Sequence, residues 1–184
     1  AQPSSSSSES GAPVSSQPTS SEGEPASGHV VTPNEPPQSQ PGRVLEIKTD
    51  SGAFDKKFSE NPVDKAYIAE SDKAVSTVDM VNVSEKYAGL WQKEISHAFE
   101  ELTKKMDTDS SAKPAKLKAE QKTWEDGKTA ALKKIREQAL AAGGSMAEVD
   151  AASQEMDFYR SRAAQLYREL YDYEKDYSYA FQAK

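Results

Sequence analysis

Residues 145–177, SMAEVDAASQEMDFYRSRAAQLYRELYDYEKDY, contain the clearest helical pattern in the chain. Their apolar side chains recur every three or four residues, at Met156, Tyr159, Ala163, Leu166, Leu170, Tyr173 and Tyr177. This near-heptad spacing places them on one face of an α-helix. Ser145 followed three residues later by Glu148 has the form of a capping box. The stretch therefore predicts a helix that begins after Gly143-Gly144 and continues to about Phe181.

Two further helical patterns precede this one. The first runs from about Thr77 to Met106 with Trp91 on its apolar face, and the second runs from about Pro114 to Ala142 with Trp124 on its apolar face. We interpret both tryptophans as core anchors, because each can bury a large apolar surface at helical spacing. Short links between long amphipathic helices favour antiparallel neighbours. The sequence predicts an all-α fold, either a three-helix antiparallel bundle or a long helical hairpin with an added helix.

The N-terminal part has a different composition. Residues 1–42 contain eight of the ten prolines, many serines, and no Phe, Trp, Tyr, Leu, Ile or Met. Such a segment cannot bury enough apolar surface to offset the entropy lost on ordering. We therefore predict a disordered Ser/Pro-rich stalk over 1–42, a strap or linker over 43–60 that lies against the domain, and a helical domain over 61–184. A disordered tail of another origin would have the same composition as a stalk.

The totals exclude several classes of protein. The chain has 23 Lys and Arg against 30 Asp and Glu, and this acidic balance disfavours binding to nucleic acid. It has no Cys, and no apolar run approaches the length of a membrane span. His97 lies near Glu94 and Glu101 on one helix, but a transition-metal site needs more nitrogen or sulfur ligands. We expect no enzyme activity, no cofactor and no metal.

The helical part carries motifs that resemble those of the N-terminal domain of the lysozyme inhibitor LprI family. The motifs are a Gln-basic-x-Trp segment, a Gly-Gly-Ser loop, and an Arg-x-x-x-Leu segment, found here at Gln121, Lys122 and Trp124, at Gly143, Gly144 and Ser145, and at Arg162 and Leu166. The resemblance covers about Val63 to Leu170. It implies a helical fold and a cationic lysozyme as the protein partner. Two features depart from the family: the Cys pairs common in its members are absent, and its usual Arg-Asp beyond the Trp is Lys128-Thr129 here.

Three residues are candidates for a binding role. Tyr171 and Tyr179 fall outside the apolar stripe, and exposed tyrosine is enriched at binding hot spots. The alternative is that both rings pack on the strap between Val44 and Phe58. Arg162 either binds a partner or pairs across the helix interface, for example with a carboxylate of an earlier helix.

The predicted function is a non-catalytic, lysozyme-inhibitor-like binding domain. The alternative is a structural or scaffold module of the envelope that acts through helix-mediated association with another protein or another copy. The stalk composition favours an extracellular or cell-envelope protein, anchored as a lipoprotein through an N-terminal lipid in a Gram-positive-type bacterium. The sequence leaves the oligomeric state open.

Overall fold

The computed structural model describes residues 42–183, and all regular elements in this range are helices. They are α1 (Gly52–Ser59), α2 (Pro62–Ser71), α3 (Thr77–Asp107), α4 (Pro114–Ala142) and α5 (Ala147–Tyr173). The all-α prediction is confirmed. The stalk predicted over 1–42 lies outside the described residues, apart from Gly42.

Local sequence signals explain where several helices begin. Asn61 caps α2 by accepting a hydrogen bond from the Asp64 amide, and Pro62 occupies the first helical position. Ser76 and Asp79 form a reciprocal capping box at the start of α3. These side chains satisfy amide donors that would otherwise lack a partner in the first turn.

The three long helices form an up-down-up bundle in which α5 is central. α3 and α5 run parallel and make the most extensive helix–helix contact, as the approach of Ser84 to Ser153 and the ion pair of Lys105 with Glu174 show. α4 runs antiparallel to α5 and contacts α3 little. α1 and α2 pack against the α3–α5 pair and complete the core. Its largest buried side chains are Phe54, Phe58, Tyr67, Trp91, Leu102, Met156, Leu166, Tyr167 and Leu170.

The last helix begins after Gly143-Gly144 as predicted, but its predicted capping box and its predicted end are wrong. α5 begins at Ala147 after Met146, and Ser145 forms no cap because it lies one residue before the N-cap position. Glu148 pairs instead with Arg136 of α4 at 2.6 Å. The helix ends at Tyr173 rather than near Phe181, because the backbone of Glu174 is extended.

The strap region contains more regular structure than its sequence suggests. Residues 43–51 are not helical, and α1 then presents Phe54 and Phe58 to the core, where both rings are fully buried. Phe58 lies 5.8 Å from Trp91, measured between ring centroids. Residues 52–59 therefore contribute to the hydrophobic core that α3 and α5 share.

Candidate functional site

The motif residues of α4 and α5 meet in the seam between these helices. Arg162 donates from Nε and Nη2 to Oε1 of Gln121, at 3.0 and 2.7 Å. Its guanidinium carbon lies 5.8 Å from the centre of the Trp124 ring. Burial lowers the pKa of the Arg162 side chain. Arg162 thus pairs across the interface, as its structural interpretation predicts, but with an amide oxygen rather than a carboxylate.

An aromatic cluster surrounds the signature tryptophan. Trp124 stacks on Phe158 at 5.4 Å with an angle of 16° between the rings, and Tyr159 meets it edge-on at 6.3 Å. The ammonium of Lys128 lies 5.6 Å from the Trp124 ring centre. Trp124 is half-buried, unlike Trp91, which is a core anchor as predicted. The sequence interpretation did not include Phe158 in this cluster. The only sequence signal for it was its position directly before Tyr159 of the apolar stripe.

The Gly-Gly-Ser motif forms the exposed turn between α4 and α5. Gly143 and Gly144 have φ values of 71° and 89°. These backbone angles are ones that only glycine adopts without substantial strain. The motif therefore serves the reversal of the chain, while Leu166 of the same signature is buried in the core.

The candidate binding tyrosines pack against the domain. Tyr171 lies 5.8 Å from Phe54 of α1, and Tyr179 lies 4.8 Å from Tyr167, both measured between ring centroids. The Tyr179 hydroxyl is within 3.1 Å of that of Tyr177. Tyr171 thus packs on the strap between Val44 and Phe58, as the alternative to a binding role predicts, whereas Tyr179 packs on α5. The binding role of both residues stays a prediction.

A buried carboxylate that the sequence interpretation missed holds the C-terminal segment. Glu94 of α3 is only 1% exposed and accepts hydrogen bonds from the Tyr167 hydroxyl and from the amides of Ala180 and Phe181, the amides at 3.0 and 2.6 Å. His97 adds a contact from its ring to the Ser178 carbonyl at 3.0 Å. We call residues 174–183 the C-terminal strap. Its docking engages Glu94 and His97, two of the three residues, with Glu101, that the sequence analysis weighs as a metal site.

A second buried polar contact joins α2 to α5. Arg160 donates from Nε and Nη2 to the carboxylate of Asp64, at 2.8 to 3.0 Å, and from Nη1 to the Leu45 carbonyl at 2.8 Å. The side-chain amide nitrogen Nδ2 of Asn61 donates to the same carboxylate at 2.6 Å. This network fixes the non-helical residues before α1 and the first turn of α2 onto the central helix.

Neither a metal-binding cluster nor a membrane-spanning helix occurs among the described residues. Within 42–183 there is no cluster of three or more His, Cys, Asp or Glu side chains arranged to hold a metal ion. No helix in that range is both long and apolar enough to cross a bilayer.

The described residues thus form a small helical-bundle domain in which an Arg–Gln–Trp contact joins two antiparallel helices. The family model described as lysozyme inhibitor LprI matches residues 69–166, more than half of the chain. The chain belongs to this family, which confirms the resemblance given by its motifs. Curated proteins and solved structures give no match.

Proposed function

We propose that this chain is a non-catalytic protein of the cell envelope that binds a lysozyme and inhibits it. The observation that carries the proposal is the family match, which spans residues 69–166 and so includes all of α3 and α4 and most of α5. The inhibitor name belongs to the family as a whole, and its application to this chain is our proposal. The same proposal includes an extracellular or cell-envelope localisation and a lipid-anchored N-terminal stalk.

The charge of the chain supports a cationic partner. The formal net charge is -7, and common lysozymes are cationic. Opposite net charges raise the rate of encounter and make binding sensitive to salt.

A turnover assay tests the proposal directly. Hydrolysis of a bacterial cell-wall suspension by a cationic lysozyme is followed with and without the full chain, at about 10 and about 150 mM salt, where the Debye lengths are about 30 and 8 Å. We expect inhibition at micromolar chain, and weaker inhibition at the higher salt. An acidic glycosidase with its own substrate serves as the control and should keep its activity. Full lysozyme activity in the presence of micromolar chain at low salt would contradict the proposal.

A further inference from the structure

One end of the bundle combines two loops with exposed apolar side chains. α3 and α5 both begin there and α4 ends there, because α3 and α5 are parallel and α4 is antiparallel to them. We call residues 72–79 and 137–150 the loop end. The two segments include the α2–α3 connection and the Gly-Gly-Ser turn between α4 and α5.

The loop end holds most of the exposed large apolar side chains. Val75 is 91% exposed, Val78 65% and Leu140 37%. Among the described residues two others are exposed to this degree: Ile68, one turn before the loop end, and Tyr173, 40% exposed, at the opposite end. Valine side chains that are this open stabilise the fold little, and grouped exposed apolar residues mark interaction sites.

The loop end also carries an acidic excess as large as that of the whole range 42–183. Residues 42–183 contain 22 Lys and Arg against 26 Asp and Glu, whereas the loop end contains one basic residue, Lys73, and five acidic ones. The acidic residues are Asp72, Asp79, Glu137, Glu148 and Asp150. Inclusion of the flanking Arg43 and Arg136 still leaves an acidic excess. At the opposite end, residues 104–116 and 169–176 hold five basic and six acidic residues, so the two ends differ in charge.

The helix termini do not reverse this charge. Two helices begin at the loop end and two, α2 and α4, finish there, so their partial terminal charges roughly cancel. Hydrogen bonds from Ser76 lower the pKa of the Asp79 carboxyl below its ordinary, already acidic range. A shallow pocket of about 180 Å³, lined in part by Tyr67, Asp72 and Met80, opens beside the α2–α3 loop.

The chain's own N-terminal segment is a poor fit for this surface. It joins the described domain at Gly42, whose position lies against Ser71 at the end of α2. Residues 1–41 contain four Glu and no Lys or Arg. Like charge therefore disfavours contact between this segment and the loop end, and a cationic surface with apolar contacts is the complementary partner.

We propose that the loop end is the surface through which the chain docks on its cationic lysozyme partner, with Val75 and Val78 as the apolar contacts at its centre. The proposal rests on the proposed function and names a surface outside the Trp124 seam. The surrounding carboxylates steer the encounter, and the two valines retard dissociation by losing their water contact on binding.

Paired variants of the full chain test this surface. Val75→Ser with Val78→Ser removes the apolar contacts, and Tyr173→Ser removes an exposed apolar side chain at the opposite end as a matched control. We expect the first variant to raise the Kd for lysozyme by at least about tenfold and the control to change it by less than about twofold. The valine variant should keep the circular dichroism spectrum and the urea midpoint of the wild type, because both valines are largely exposed, and the Tyr173→Ser control should keep the spectrum.

A charge variant separates steering from apolar contact. Asp72→Asn with Glu137→Gln should reduce the association rate and flatten its salt dependence, with little change in the dissociation rate. Equal Kd values for the wild type and the double-valine variant would overturn the loop-end proposal and leave the proposed function intact. Absence of lysozyme binding by the wild type would overturn both. Self-association of the wild type that the valine substitutions abolish, without an effect on lysozyme binding, would assign the surface to a second copy and also overturn the proposal.

Discussion

Replacement of Glu94 tests how the C-terminal strap is held. In Glu94→Ala the buried Tyr167 hydroxyl loses its acceptor, and the amides of Ala180 and Phe181 lose theirs. An unsatisfied buried donor costs about 1–3 kcal/mol, and the two strap amides recover part of their loss when the strap is released to water. We expect the free energy of unfolding to fall by about 3 kcal/mol. Glu94→Gln keeps the volume and one acceptor oxygen, so it should cost less.

Urea unfolding at pH 7 measures the loss, and amide exchange locates it. Ala180 and Phe181 should exchange much faster in Glu94→Ala than in the wild type, while the amides around Trp91 keep most of their protection. Glu100→Ala is the matched control, because Glu100 is exposed on the same helix, and it should change stability by less than about 0.5 kcal/mol. A Glu94→Ala protein as stable as this control, with unchanged exchange at Ala180 and Phe181, would refute the reasoning.

Three other predictions follow from single contacts. Gly143→Ala should destabilise the domain by about 1–3 kcal/mol, because φ is 71° and ψ is -171° at this residue. Gly127→Ala should stabilise it by about 1 kcal/mol, because Gly127 is an exposed helix position with nothing within 4 Å of the added methyl group. Thermal unfolding measures both changes. Arg160→Met should cost about 3–5 kcal/mol in urea unfolding by leaving Asp64 buried without its charge partner, and Asp64→Asn added to it should recover part of that loss. Burial raises the pKa of Tyr177 from 10.0 to about 12. The stability that the neutral Tyr177 hydroxyl contributes is therefore complete below pH 10 and is lost as pH rises toward 12. Tyr177→Phe should reduce the fall in urea midpoint between pH 9 and 11 by the equivalent of about 1 kcal/mol.

Each of these has a result that would count against it. Equal midpoints for the two glycine variants would show that the turn after α4 tolerates a side chain. A double variant less stable than Arg160→Met alone would show that the contact with Asp64 is not what Arg160 supports. An alkaline profile that is identical for wild type and Tyr177→Phe would mean that Tyr177 ionises in the folded state as readily as in the unfolded chain.

The three long helices, α3, α4 and α5, could be predicted because their apolar stripes are long and regular. The boundaries of α3 and α4 follow from the stripe, Pro114 and Gly143, which act within a few residues of the chain. The end of α5 could not be found in this way. The stripe continues to Tyr177, but that ring reaches the core from the C-terminal strap. The contact that holds this strap comes from Glu94, which lies 86 and 87 residues before the two amides that it binds.

The buried charges were missed because a charged residue in a helix usually lies on its solvated face. Glu94 is three residues after Trp91 and four before Ala98, so it lies on the apolar face of α3. Arg160 lies four residues after Met156 and three before Ala163, so it lies on the apolar face of α5. Spacing thus provides a signal for both residues, whereas their partners depend on how separate helices pack.

The signature seam was foreseen only in part. The motif identified Gln121, Trp124 and Arg162 as related positions, and the structure brings all three together. Their mutual contact needs the antiparallel register of α4 and α5, which the short Gly-Gly-Ser turn makes plausible but does not fix. The exposure of Val75 and Val78 had no signal in the stripe pattern, since both lie at the very start of α3 or before it.

Isothermal titration of the full chain into a cationic lysozyme tests the central claim most directly. We predict a saturable one-to-one complex with a micromolar or lower Kd. Its affinity should be weaker at about 150 mM than at about 10 mM salt, as expected for opposite charges at an interface. The complex should also suppress cell-wall hydrolysis in proportion to the fraction of lysozyme bound. No saturable heat at micromolar concentrations and low salt, together with unchanged hydrolysis, would contradict the account.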